Sequence, residues 1–135
     1  MNILLFGYGF YVLGNENFIG GTIMPAILKW KSLISPNNFS ITCIVKSNKS
    51  KLLAKERFEG YQNKYISAKT IDIQIKEYHE INPNLKFKCA IVAIPEKSHL
   101  ECIKFIVQRT KDIICVKPFT SSQMEVIEAI KICNK

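Results

Sequence analysis

The sequence predicts an α/β fold, a single domain built on a doubly wound parallel sheet. Short, continuously apolar runs read as strands buried on both faces. Segments of helical period lie between them, and the two kinds alternate along the whole chain. Right-handed crossovers between parallel strands then put helices on both faces of the sheet. At 135 residues the chain has the length of one domain, enough to bury a core without disulfides.

Taken in order, Asn2 to Phe6 is a buried strand ending in the turn Gly7-Tyr8-Gly9. Glycines recur at Gly14, Gly20 and Gly21. A helix follows, capped by Gly21 or Thr22, with Pro25 in its first turn and Ile23, Ala26, Ile27 and Trp30 on one face. Ser35-Pro36-Asn37-Asn38 is a loop, and Phe39 to Val45 is a second buried strand. Ser50 caps a short helix over Lys51 to Phe58, and Gly60 to Lys69 is irregular and polar. Ile71, Ile73 and Ile75 alternate, which makes Thr70 to Ile75 a shorter strand near an edge. Glu77 to Ile81 forms a helical turn stopped by Asn82-Pro83-Asn84. Lys88 to Ile94 is the most strand-like segment, and Pro95 ends it. A helix over Lys97 to Gln108 turns Leu100, Ile103, Ile106 and Val107 inward. Ile113 to Val116 is a short buried strand closed by Lys117-Pro118. Ser121 or Ser122 caps a last helix through Ile132, whose apolar residues are Met124, Ile127, Ile130 and Ile132.

Hydrophobic residues make up 47% of the chain and charged residues 22%, a globular balance that excludes extended disorder. The net charge of +8 is scattered, with no basic arm and no interleaving of aromatic and basic residues, so nucleic acid is not the expected partner. The amino-terminal apolar run is too short for a membrane span and has no basic region before it, so no leader and no membrane association are expected. The five cysteines, Cys43, Cys89, Cys102, Cys115 and Cys133, form no CxxC pair. They are expected to be buried free thiols of a cytoplasmic protein, with no metal site.

Four features gather where the strands end. In a doubly wound sheet, ligands sit beyond the carboxyl ends of the strands. Gly7 and Gly9, with Tyr8 and Phe10, follow the first strand, where a pyrophosphate must come within reach of backbone N–H groups. The third glycine of GxGxxG is replaced by Val12, so the loop is longer than the standard turn. A glycine turn with no ligand is the competing reading. After the second strand stand Lys46, Ser47, Asn48 and Lys49, with no acid to hold a ribose 2′-hydroxyl. Positive charge suits a 2′-phosphate, which favours NADP over NAD, against the alternative of a solvated basic turn. Ala93-Ile94-Pro95 and His99 follow the fourth strand, at the nicotinamide end of such a ligand. A surface or helix-capping histidine is the stronger reading of His99. Lys117, before Pro118, sits at the end of the fifth strand, where burial or a nearby cation would fit it for proton transfer.

Together GYG, AIPEKSH and VKPF resemble the amino-terminal half of the Gfo/Idh/MocA family of NAD(P)-dependent oxidoreductases, and GTIMPAIL resembles its first helix, displaced by the glycine loop. The resemblance implies a Rossmann domain over residues 1–135. It further implies that Lys117 is the catalytic lysine, that Gly7, Gly9 and the following loop hold the pyrophosphate, and that Pro95 and His99 border the nicotinamide ribose. Its implied reaction is hydride transfer between the coenzyme and a sugar or polyol hydroxyl. Val116 stands where the family usually has Glu. The family's second α/β domain, which supplies most substrate contacts, is expected to be missing here or to be a separate polypeptide. Self-association through the surface it leaves is the other expectation. A non-catalytic nucleotide-binding sensor or subunit is the alternative function.

Overall fold

The computed structural model describes residues 1–15, 21–34 and 38–134. The expected Gly20 and the loop residues Ser35, Pro36 and Asn37 lie outside them. Five strands, β1 (Asn2–Phe6), β2 (Ser40–Val45), β3 (Asp72–Glu77), β4 (Cys89–Val92) and β5 (Ile113–Cys115), form one sheet in the order β3-β2-β1-β4-β5. Every pairing is parallel, with Ile3 opposite Ile41 on one side of β1 and opposite Cys89 on the other. The order reverses at β1, so the switch point falls between β1 and β4.

Central strands in such a sheet bury both faces, which is why β1 is apolar at every position after Asn2. Ile3 and Leu5 face a core closed by Met24, Ile27, Ala54 and Phe58. Leu4 and Phe6 face another core with Ala90, Val92, Cys102 and Ile106. Each such side chain contributes about 1.5–3 kcal/mol by leaving water.

The helices are α1 (Phe10–Leu13), α2 (Ile23–Ile34), α3 (Asn48–Lys64), α4 (His99–Ile106) and α5 (Gln123–Cys133). Several differ from expectation. The buried stripe of α2 runs through Met24 and Ile27, leaving Ala26 exposed. Ser47, not Ser50, caps α3, its hydroxyl accepting from the Ser50 N–H at 3.3 Å. That helix runs on past Phe58 because Tyr61 continues the stripe begun by Ala54 and Phe58. Gly60 rides on its solvent side, where the missing side chain leaves nothing unpacked. The inward face of α4 is His99, Cys102, Ile103 and Ile106, rotated from the expected one, and a 3-10 turn over Glu96–Ser98 leads into it. Ser122 caps α5. The apolar residues of α5 stay largely outside, with only Ala129 buried, while Glu128 pairs with Lys104 of α4 at 2.6 Å. The thiols are free, but Cys115 is only half-buried and Cys133 is exposed, because α5 covers little at its end. No helix among the described residues is long and apolar enough to cross a membrane.

Candidate functional site

β1 and β4 end side by side, and the two glycines of the first turn do different work there. Gly7 has φ +117, and a Cβ on it would overlap the carbonyl oxygen of Ala93. The Ala93 N–H donates to the Phe6 carbonyl at 2.8 Å, so the strand ends are drawn together where only glycine fits. Gly9 is ordinary in φ, −85, yet no atom lies within 4 Å of where its Cβ would stand. The space beside its backbone is open, which is the requirement for a phosphate to reach main-chain N–H groups. Tyr8 is half-buried against the core, and Phe10 is exposed beside Tyr11.

The turn does not run into a long helix. α1 is one turn only, ending at Gly14 with φ 76. Across the loop, the Thr22 N–H and hydroxyl both donate to the Tyr11 carbonyl, at 2.9 and 3.1 Å. Thr22 still heads α2, its carbonyl accepting from the Ala26 N–H at 3.3 Å. Gly21, at φ 61, is pressed against the backbone of Val12 and Gly14, and a Cβ there would stand 2.7 Å from the Val12 carbonyl oxygen. From α3, Arg57 donates to the Gly14 carbonyl at 2.9 Å. The expected stretched loop is thus pinned at both ends. Arg57 was not legible as part of it, since nothing in the sequence marks one exposed arginine on a helix.

At the end of β2, Lys46, Ser47, Asn48 and Lys49 are all exposed. Two of them have structural partners. Ser47 is the α3 cap, and the Lys46 ammonium donates to the Ser98 hydroxyl at 3.0 Å, 3.9 Å from Glu101. Asn48 opens α3, and Lys49 makes no ion pair among the described residues.

At the end of β4, Ala93 and Ile94 are half-buried and Pro95 is exposed, heading the 3-10 turn. His99 is not a surface residue: it is 1% exposed, its N–H closes the 3-10 turn onto the Glu96 carbonyl, and its ring nitrogens face two backbone carbonyls. Those contacts fill the polar edge of the ring. Lys117 follows β5, which is half-buried rather than buried, with Ile114 58% exposed. Lys117 itself is exposed, so the burial expected around it is absent here. Parallel pairing nonetheless brings the ends of β1, β2, β4 and β5 to one edge of the sheet, and with them all four groups of site residues.

An apolar cavity of about 490 Å³ lies elsewhere, lined by Ile23, Ala26 and Trp30 of α2 and by Lys88, Cys89 and Asp112 where β4 and β5 begin. Its lining runs from Thr22 and Ile23 at the head of α2, past Ile91 and Ile114, to the starts of β4 and β5, and it includes neither Gly7 nor Gly9.

A parallel sheet with its switch point beside an open glycine turn defines a dinucleotide-binding α/β protein. Residues 2–135 match the Gfo/Idh/MocA oxidoreductase family, NAD-binding Rossmann fold, and the chain belongs to that family. No curated protein matches the chain in sequence. Among solved structures, it is similar to an oxidoreductase from Agrobacterium radiobacter in complex with NAD+, L-tartaric acid and magnesium. The TM-score is 0.57 at 15% identity, over 98% of this chain and 32% of that one. It is also similar to a protein from Klebsiella pneumoniae described as an oxidoreductase, with TM-score 0.55 at 17% identity over 99% of this chain and 31% of that one. A protein described as an O-methyltransferase from Klebsiella pneumoniae, at 9% identity and TM-score 0.50, matches over 98% of this chain and 59% of that one. Likeness at this level shows the fold alone. The chain spans about a third of the length of the two oxidoreductases it matches.

Proposed function

We propose that this chain is the coenzyme-holding part of an oxidoreductase acting on a sugar or polyol hydroxyl, in a cytoplasmic protein. The observation that carries the reading is the open space at Gly9 beside the closed packing at Gly7, at the switch point of a sheet from an NAD-binding family. A nicotinamide coenzyme supplies hydride transfer when bound, and the protein supplies position and electrostatics. Backbone N–H groups from Gly7 to Phe10 would hold the pyrophosphate. Lys117 would stand at the hydroxyl being oxidised and take or return its proton. Substrate contacts would come from a second domain or another polypeptide.

Lys46 and Lys49, exposed directly after β2, support NADP over NAD, since the residues after that strand would meet the adenosine ribose. Lys46 would exchange the Ser98 hydroxyl for the 2′-phosphate. Titrating the 135-residue chain with NADPH and with NADH, following nicotinamide fluorescence, tests both points. Saturable binding with NADPH tighter is expected, and Lys46→Glu should reverse the order. Absence of saturable binding by either coenzyme overturns the reading.

A second reading is a nucleotide-binding subunit without catalysis. Val116, in place of the expected acid before Lys117, favours it. It predicts coenzyme binding with no hydride transfer to any sugar or polyol when the rest of the enzyme is supplied.

A further inference from the structure

His99 sits at the first turn of α4 with both ring nitrogens against main-chain oxygens. Nε2 is 2.7 Å from the Ile94 carbonyl and Nδ1 is 2.8 Å from the Phe119 carbonyl. A carbonyl only accepts, and a neutral imidazole carries one N–H. Only the ring protonated at both nitrogens satisfies both contacts. The two carbonyls belong to different segments: Ile94 follows β4, and Phe119 lies two residues beyond Lys117.

We propose that His99 is a positioning residue whose ring, donating at both nitrogens, ties the turn after β4 to the segment after β5 and so sets the placement of Lys117. The role of Lys117 rests on the proposed function, but the tie itself does not.

A second group completes the device. The Cys115 sulfur lies 3.3 Å from Nδ1. Burial pushes this thiol up to about 11, so it remains an S–H donor at neutral pH. When Nδ1 loses its proton, the Cys115 S–H can donate to it, Nε2–H stays on Ile94, and the Phe119 carbonyl is left without its donor. Cys115 is the titratable side chain in contact with the ring. Among the described residues, Glu96, Lys97 and Glu101 beside it in sequence, and Lys117 after β5, make no hydrogen bond or ion pair with it. The tie therefore requires a proton on Nδ1.

Nitrogen-15 histidine labelling of the whole chain, with carbonyl carbon-13 labels on Ile94 and Phe119, reads this directly. The other histidine, His79, is identified by His79→Gln and serves as reference. Both His99 nitrogens are expected to be protonated at the acid end. The proton should then leave Nδ1, and the Phe119 carbonyl signal should move with it while that of Ile94 holds. Loss from Nε2, or a Phe119 signal indifferent to the titration, overturns the proposal. In a second arm, His99→Phe keeps the ring and removes both donors. Exchange of the Val116 amide, bonded to the Val92 carbonyl at 3.0 Å, should quicken about tenfold, the effect of losing one ordinary hydrogen bond nearby. Exchange of the Ala93 amide, bonded to Phe6, should not change. An unchanged Val116 amide also overturns the proposal. If the variant does not fold, the wild-type titration decides. Failure of NADH and NADPH to bind, with the titration as described, removes the functional reading and leaves the tie standing.

Discussion

A side chain on Gly7 would meet the carbonyl oxygen of Ala93, because β1 and β4 end in contact just where the chain turns. The same turn holds Gly9 clear of every neighbour. The two glycines therefore separate a folding requirement from a binding requirement. Gly7→Ala combines positive φ with backbone overlap and should cost about 2–4 kcal/mol, measured by urea denaturation. Gly9→Ala should unfold at the wild-type urea midpoint yet weaken NADH and NADPH, because its methyl group fills the approach to the backbone. Equal stability losses for the two variants would contradict this division.

Arg57 joins α3 to the start of the glycine loop through the Gly14 carbonyl. Arg57→Ala should cost about 1 kcal/mol, the worth of an exposed charge-assisted hydrogen bond. Amide exchange at Gly14, which donates to Phe10 at 2.8 Å, should quicken while β2 amides keep their protection.

The thiols make stability fall on the alkaline side. Burial pushes Cys43 up to about 12 from 9.0, against the lowering effect of a backbone hydrogen bond at Gly7. Burial also raises Cys89 and Cys102, and takes Cys115 to about 11. The folded chain thus holds these protons more tightly than the unfolded one. Their contribution is whole below pH 9.0 and is lost as pH climbs toward 12. The Tm should drop over that window, and Cys43→Ala should flatten the drop. At pH 8 a thiol reagent should modify exposed Cys133 first, with buried Cys43, Cys89 and Cys102 following only on opening.

Lys117→Ala should leave coenzyme affinity unchanged in the isolated chain. Combined with the rest of the enzyme, it should slow hydride transfer by about 10²–10⁴-fold, the usual worth of a positioned proton-transfer group. Turnover near the wild-type rate would remove Lys117 from the chemistry.

The sheet was legible because burial on both faces leaves an unmistakable pattern, as in Ile3 to Phe6 and Cys89 to Val92. The glycine turn was legible for a similar reason, since few other uses explain glycines directly after such a strand. Helix faces were less so. In α4 the buried stripe includes His99, a polar residue whose burial depends on the Ile94 carbonyl in the preceding turn and the Phe119 carbonyl twenty residues later, so apolar periodicity alone turned the helix wrongly. The length of α3 was hidden by Gly60, which is usually a stop signal but here meets open space. In α5 the apolar residues misled, with Met124 73% exposed. Side-chain attachments such as Arg57 to Gly14 and Lys46 to Ser98 depend on tertiary distance and leave no local signature.

The stitch between Tyr11 and Thr22 clasps the head of α2 to the single helical turn that follows β1. Val12 and Leu13, just inside the clasp, are buried in the core, and Gly21 lies flat against the backbone of Val12 and Gly14. The register of α2 on β1 is therefore set by side chains and main chain at the same few residues. A change at any of them would be felt as lost thermal stability before it was felt by a ligand.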